Sequence, residues 1–322
     1  MSPAWHPSAT LQALKDRAAL THRLRQFFHG RGVLEVETPS LSAATVTDPH
    51  LHSLPVTFHP PGTATPTTLY LQTSPEYAMK RLLAAGSGPI FQISKAFRAD
   101  PPGPLHNPEF SMLEWYRPGW DHHALMDEMD DLLQTLLGTL PARRVSYADA
   151  FFDKTGLNPH TVTDAALATF GQATLPMASP ITHRNDSLDL IMSHCIEPDL
   201  ANDRPAFVYD FPQTQAALAK IRHDENPPVA SRFEVYFQGI ELANGFHELQ
   251  DAGEQRRRFE NDLATRRQLA LPPLPLDEHF LAALESGLPD CAGVALGIDR
   301  LVMLAQQRQR LSEVLGFDFE RA

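Results

Sequence analysis

Residues 106–116 read HNPEFSMLEWY. Drawn as a strand, this stretch puts Phe110, Met112, Glu114 and Tyr116 on one face and Ser111, Leu113 and Trp115 on the other. Both faces are largely apolar, so the strand belongs inside a sheet that is covered on both sides. A carboxylate at Glu114 is costly in such a place unless a cation or hydrogen-bond donors meet it. Arg117 has the opposite parity and points away, so the partner is expected from elsewhere in the fold or from a ligand.

The surrounding chain supplies the covering layers. Apolar residues recur at helical spacing over 10–29 (Leu11, Leu14, Ala18, Leu24, Phe27, Phe28), with Gly30 as a stop. VLEVETPSL (33–41) reads as a strand ended by Pro39, and residues 50–59 and 67–74 as two strands around the turn-rich PPGTATP. SPEYAMKRLLAAG (74–86) reads as a helix capped by Ser74, with Pro75 in its first turn. PIFQISKAFRAD (89–100) is a strand that pairs antiparallel with 106–116 across PPGPL.

DHHALMDEMDDLLQTLLG (121–138) is an amphipathic helix with an inner stripe of Leu125, Met129, Leu132, Leu133 and Leu136. Its acidic residues, Asp127, Glu128, Asp130 and Asp131, read as its solvated side, and His122-His123 as exposed. Residues 139–205 read as a helical insertion, with short helical patterns at 163–169 and 186–196. Strand character returns at 205–212 and 231–246. Helices follow at 251–269 and 277–287, then a strand (AGVALG, 292–297) and a last helix (298–307). This order predicts an α+β fold with a mainly antiparallel sheet flanked by helices, not regular βαβ alternation.

Composition narrows the function. The net charge of −12 argues against binding nucleic acid through the whole surface. Two cysteines, Cys195 and Cys291, are too few for a disulfide framework and fit a reducing, cytoplasmic setting. No apolar run reaches the roughly 20 residues that span a bilayer, and no secretory signal is visible. GxGxxG and GxxxxGK[ST] are both absent, and His247-Glu248 lacks the second histidine of an HExxH zinc site.

Three segments place charge on buried strands. FRAD with HNPEFSMLEWY carries Arg98 and Glu114. GIELANGFHELQD (239–251) carries Glu241 and Glu248 around an expected Asn-Gly turn. GVALGIDRLVML (293–304) sets Arg300 at the start of a helix. Arginines grip phosphate through a planar fork, and paired carboxylates can hold Mg²⁺ against phosphates. Together they suit a polyphosphate ligand, where each alone suits an internal ion pair equally well.

In order and spacing these segments resemble motifs 2 and 3 of the class II aminoacyl-tRNA synthetases, and Arg31 to Pro39 resembles motif 1. TSPE, HNPEF and ELANGFHEL place the chain beside lysyl-tRNA synthetase. The catalytic pattern begins near residue 10, which leaves no room for the OB-fold anticodon domain of that enzyme. With EWYRP, the chain is similar instead to the elongation factor P lysine lysyltransferase family, as a single synthetase-like catalytic domain over 1–322.

The resemblance implies ATP-dependent activation of (R)-β-lysine, or lysine, to an acyl-adenylate. Transfer to a lysine side chain of elongation factor P follows, with Mg²⁺ as cofactor and a homodimer as the assembly. It implies catalytic roles for Arg98, Glu241 and Arg300. It implies ATP contacts at Arg98, Ala99, Asp100, Asn107, Glu241, Leu242, Gly297 and Arg300. Substrate contacts fall at Ser74, Pro75, Glu76, Glu114, Tyr116, Asn244, Glu248 and Ala295, and metal ligation at Glu241 and Glu248. Glu76, Glu114 and Glu248 would together form a negative pocket for a substrate with two ammonium groups.

Three positions depart from the pattern. Asp100 stands where the motif 2 pattern has glutamate. PPGPL carries Pro104 and Leu105 where an arginine is expected, a loss worth on the order of 1–3 kcal/mol of phosphate binding that His106 partly replaces. Ala295 stands where lysyl-tRNA synthetases have glycine, which narrows the pocket. A minimal enzyme acting on tRNA and an inactive regulatory paralogue are the alternative readings. The charge and the absent anticodon domain count against the first.

Overall fold

The computed structural model describes residues 5–63, 65–175 and 183–322. Residues 176–182, inside the expected insertion, lie outside the described residues. In chain order the helices and strands are α1 (Leu11–His29), β1 (Leu34–Glu35), β2 (Leu41–Ser42), β3 (Pro55–Phe58), β4 (Thr67–Leu71), α2 (Glu76–Ala84), β5 (Ile90–Phe97), β6 (Glu109–Pro118), α3 (His122–Leu137), β7 (Arg143–Ser146), α4 (Tyr147–Thr155), α5 (Asp164–Thr174), α6 (Arg184–Ile191), β8 (Ala206–Pro212), β9 (Ile221–Arg222), β10 (Val229–Phe237), β11 (Ile240–His247), α7 (Ala252–Gln268), α8 (Glu278–Gly287), β12 (Cys291–Gly297) and α9 (Ile298–Ala305). The architecture is α+β, with strand pairing mostly antiparallel. No helix among the described residues is long and apolar enough to cross a membrane.

The chain divides into two compact units. The first comprises Met1–Gly119, Gln250–Asp290 and Ala295–Ala322, the second Trp120–Leu249 and Cys291–Val294. In the first, β5 and β6 pair antiparallel from Ile90↔Tyr116 to Phe97↔Glu109, which sets Gln92 directly opposite Glu114. α1 covers the Trp115 face: Phe28 stacks on Phe91 at 4.8 Å and meets Trp115 at 5.0 Å. Its buried stripe is Ala13, Leu20, Leu24, Phe27 and Phe28, whereas Leu11 and Ala18, expected inside, are exposed. The helix begins at Thr10, whose hydroxyl accepts from Ala13 N–H at 3.1 Å.

The expected strand over 33–41 shrinks to two dipeptides. Only Leu34 and Glu35 pair with β5, in parallel, and Val36 N–H adds one more bond to Phe91 O. Pro39 then has no N–H with which to continue a ladder. On the other face of β6, the turn before α2 brings Ser74 over Glu114. α2 rests on α8, where Tyr77 and Phe280 stack at 4.5 Å with their planes 2° apart.

In the second unit β10 pairs antiparallel with β8 and β11, and β7 lies parallel to β8. The 139–205 region does not stand apart. Tyr147, Phe151, Leu167, Leu188, Ile191, Met192 and Ile196 share one core with Phe211 of β8 and Tyr236 of β10.

The β10–β11 hairpin turns at Gln238-Gly239, both at positive φ (52° and 71°). The Asn-Gly turn expected at 244–245 is instead mid-strand, with Asn244 opposite Glu234 and Gly245 opposite Phe233. Gly245 is required there by close approach. A Cβ would lie 2.4 Å from Phe233 Cζ and 2.9 Å from Val294 Cβ. Gly245→Ala is therefore expected to destabilise the fold by about 1–3 kcal/mol through overpacking, seen as a lower urea midpoint at unchanged slope.

Candidate active site

In the first unit the answer to the Glu114 question is two hydroxyls and a distant ammonium. Ser74 Oγ donates to Glu114 Oε2 at 2.6 Å and Tyr116 OH donates to Oε1 at 2.5 Å. Ser74 Oγ also accepts from Glu76 N–H at 3.0 Å, so one hydroxyl holds the acid and the first N–H of α2, although the N-cap is Pro75 and not Ser74 as expected. Of the two kinds of partner expected, a cation or hydrogen-bond donors, the direct contacts are donors. The cation in this network is Lys80, which the sequence reading did not single out. Lys80 is 1% exposed and donates to Glu76 Oε1 at 2.6 Å, one helical turn away.

Burial, then the Glu76 charge, raises the Glu114 pKa to about 7, against the Ser74 and Tyr116 hydrogen bonds and Lys80. Pro75, at the N-cap position of α2, is buried beside them. Glu76 and Glu114 thus converge as expected, with Glu76 already ion-paired inside the protein.

The other end of the first unit gathers the expected phosphate contacts. Arg98 follows β5 directly. Its N–H donates to Pro108 O at 2.9 Å, and its guanidinium lies 5.2 Å from the Phe110 ring centroid. Ala99 N–H bonds His52 O at 2.7 Å, and Asp100 opens the PPGPL loop. That loop is held by Gly103 N–H to His106 O (2.9 Å) and by Leu311 N–H to Pro104 O (2.8 Å). Asn107 donates to Glu109 O at 2.7 Å and accepts from Phe319 N–H at 2.9 Å.

Gly297 caps α9, two residues after Ala295 at the end of β12. Arg300 leaves the first turn of α9 and donates to His106 Nε2 at 3.1 Å and to Leu105 O at 3.3 Å. His106 Nε2 is therefore the unprotonated ring nitrogen. Burial first, and then Arg300, holds the His106 pKa below the usual histidine range. α9 is anchored by Asp299, which pairs with Arg17 of α1 at 2.5 Å and accepts from Ser111 N–H of β6 at 2.9 Å.

The second unit carries the remaining residues. Glu241 lies opposite Tyr236, and Leu242 is buried. Asn244 Oδ1 accepts from Arg232 Nε at 3.2 Å. Arg232 also donates to Gln215 O at 2.8 Å, ion-pairs with Glu234, and lies over the Phe211 ring at 4.5 Å. Glu234 receives the Tyr236 hydroxyl as well, and Tyr236 reaches Glu197 at 3.4 Å. Burial, then Glu234 and Glu241, raises Glu197 to about 7.

Glu248 is 1% exposed just beyond β11, its N–H bonded to Cys291 O at 2.9 Å. Glu241 lies in β11, and Glu248 follows its end in an isolated bridge with Ala219. On β10, Glu234 sits opposite Asn244 and is held by Arg232 and Tyr236. Its only sequence signal is its place on a buried strand beside Arg232.

Two bland readings also change. His122 is 2% exposed, with its ring 4.1 Å from that of His123 at a tilt of 38° and its Nε2 3.4 Å from Asp210, and Glu128 is 4% exposed. Among the described residues no cluster of three or more histidine, cysteine, aspartate or glutamate side chains is arranged to hold a metal ion.

A family model described as tRNA synthetases class II (D, K and N) matches residues 5–321. A protein from Vibrio cholerae is 54% identical over 322 residues, covering 99% of this chain and 98% of its own. One from Pseudoalteromonas translucida is 52% identical over 320 residues, covering 99% and 98%. One from Pectobacterium carotovorum is 51% identical over 321 residues, covering 99% and 98%. Each of these relatives bears the name elongation factor P–(R)-β-lysine ligase.

Proposed function

The chain belongs to the elongation factor P–(R)-β-lysine ligase family of class II synthetases, and from this membership we propose that it activates a lysine-type acid with ATP and joins it to a lysine side chain of elongation factor P. The observation that carries the reading is the buried Ser74–Glu114–Tyr116 network beside Glu76. A carboxylate held in place by hydroxyls, with no cation in direct contact, is a receptor for an ammonium group. Substrate binding then compensates the burial of the charge.

In the first step a substrate carboxylate oxygen attacks the α-phosphorus of ATP, an O–P bond forms, and pyrophosphate leaves. Arg98 neutralises charge at the α-phosphate, and Arg300 holds the terminal phosphates. Their contribution is positioning and electrostatics. Asp100 and Asn107 orient the nucleotide, and His106 acts as acceptor for Arg300 until phosphate takes its place.

Glu241 and Glu248 are hard oxygen donors of the kind that would hold Mg²⁺, which prefers one or two carboxylates plus phosphate oxygens. When bound, the ion supplies charge neutralisation on the triphosphate. In the second step the acceptor amine attacks the acyl carbon, an amide forms, and AMP leaves. That amine, with an unperturbed pKa of about 10.4, gives up a proton to become a nucleophile. A homodimer is the assembly that membership implies.

Intact-mass analysis of elongation factor P after incubation with the protein, ATP and either lysine isomer tests the reading. A mass gain of one lysyl residue is expected. Charging of tRNA in a parallel arm, with no gain on elongation factor P, overturns it. Ala295→Gly removes one methyl from the narrowed pocket and is expected to raise use of α-lysine relative to β-lysine about tenfold. An unchanged ratio of the two kcat/KM values refutes that assignment.

A further inference from the structure

Lys80 is among the most buried charged side chains of the first unit, and the chemistry just described makes no use of it. A lysine ammonium is rarely taken fully out of water unless it is paired. Here the pair is Glu76, at 2.6 Å with side-chain exposures of 1% and 17%. From that pair three further bonds lead to the carboxylate on β6: Glu76 N–H to Ser74 Oγ, Ser74 Oγ to Glu114, and Tyr116 OH to Glu114. A lysine that only stapled α2 would sit equally well on its solvent side, where such pairs contribute a few tenths of a kcal/mol without desolvation. This one is turned inward, toward the carboxylates.

Two carboxylates sharing a buried site cannot both stay charged without a nearby cation, because each raises the other's proton affinity. We propose that Lys80 is a specificity-determining positioning residue: by neutralising Glu76 from within the protein, it holds Glu114 in the charged form that a substrate ammonium group needs. The inference rests on the amine-pocket reading above.

The groups facing Glu114 are Glu76 and Lys80 from α2, Ser74 from the preceding turn, Tyr116 from its own strand, and the uncharged Gln92 opposite it on β5. Lys80 also lies 5.8 Å from the Phe280 ring of α8. Tyr77, on the same helix, has its hydroxyl among Glu76, Asp262, Asp277 and Asp48, which, after burial, push its pKa up. Lys80 is the cation among the leading groups that act on Glu114, where it opposes Glu76. The residual upward pull on Glu114, led by burial, leaves it charged for the most part only above about pH 7. Removing Lys80 moves that boundary higher.

The test is lysine- and β-lysine-dependent ATP–pyrophosphate exchange across pH 6–9, for the native protein, Lys80→Gln and Lys80→Arg. In Lys80→Gln, which keeps a donor to Glu76 and loses the charge, the acid limb of kcat/KM for the amine substrate is expected to move up by about one pH unit. KM for that substrate at pH 7 should rise about fivefold, with KM for ATP unchanged. Lys80→Arg is expected to keep the native limb. A folded Lys80→Gln whose acid limb does not move overturns the proposal.

If neither variant folds, calorimetry on the native protein in buffers of different ionisation enthalpy decides. At pH 7.5 release of about a quarter of a proton on substrate binding is expected for a group titrating near 7, and release approaching one proton overturns the proposal. Absence of exchange in the native protein itself would instead strike the functional reading, so the two failures are distinguishable.

Discussion

Asp299→Ala is expected to cost the native state about 3–5 kcal/mol. The Asp299 side chain is 3% exposed and carries one half of an ion pair with Arg17, whose own side chain is 19% exposed. Its other oxygen takes the Ser111 N–H of β6. Alanine removes the acceptor for a buried amide and leaves the Arg17 charge with only the Ser111 hydroxyl, which it meets at 2.8 Å. An orphaned buried charge and an orphaned buried N–H both carry their desolvation penalties. Urea unfolding should show a sharply lower midpoint with an unchanged slope. A shift below 1 kcal/mol would mean that the Arg17–Asp299–Ser111 triad does not anchor α9. The exposed pair Arg204–Asp203 provides the control, since screening leaves such pairs with little effect.

Arg300→Ala should leave folding intact and lower kcat for amino-acid-dependent pyrophosphate exchange by about 100- to 1,000-fold, the effect typical of deleting one preorganised electrostatic contact. Arg300 is partly exposed and reaches a histidine nitrogen at 3.1 Å and a carbonyl at 3.3 Å, neutral acceptors that a phosphate oxygen can replace. Arg300→Lys keeps the charge without the planar fork and is expected to recover only part of the rate. Full activity in Arg300→Ala would remove this residue from the phosphate site. Asp299 and Arg300 are adjacent in sequence and their variants separate cleanly: one changes the denaturation midpoint, the other changes turnover.

The pH dependence of stability carries a defined sign. Glu114 has a folded-state pKa of about 7, above its ordinary carboxylate value. Between that ordinary value and 7 the native protein binds more protons than the unfolded chain, so this group's contribution falls as pH rises through the window. Occupation of the pocket by an ammonium group reverses the trend, because the charged form of Glu114 is then the favoured one. Ligand stabilisation of the fold should therefore be greater at pH 8 than at pH 6.

Local chemistry made much of this molecule legible in its residues. The two apolar faces of 106–116 identify a strand covered on both sides, and β6 is that strand, with α1 on one face and Ser74 on the other. The cap at Asp277 follows from a side-chain oxygen placed before helical periodicity. The order of charged strand segments was enough to indicate a phosphate-binding catalytic domain, because spacing along a chain survives folding.

What could not be read is what depends on parity, register and burial across elements. Asn244-Gly245 has the composition of a turn, yet the hairpin bends at Gln238-Gly239, because Phe233 and Val294 demand a residue without a side chain at 245. Glu234 comes to lie opposite Asn244, held by Arg232 and Tyr236, through a pairing register that no local pattern shows. Lys80 and Glu76 have the common spacing of a solvent-exposed helical pair. Only the packing of α2 against β6 and α8 turns that pair inward, where low dielectric converts an ordinary contact into control over the charge of Glu114.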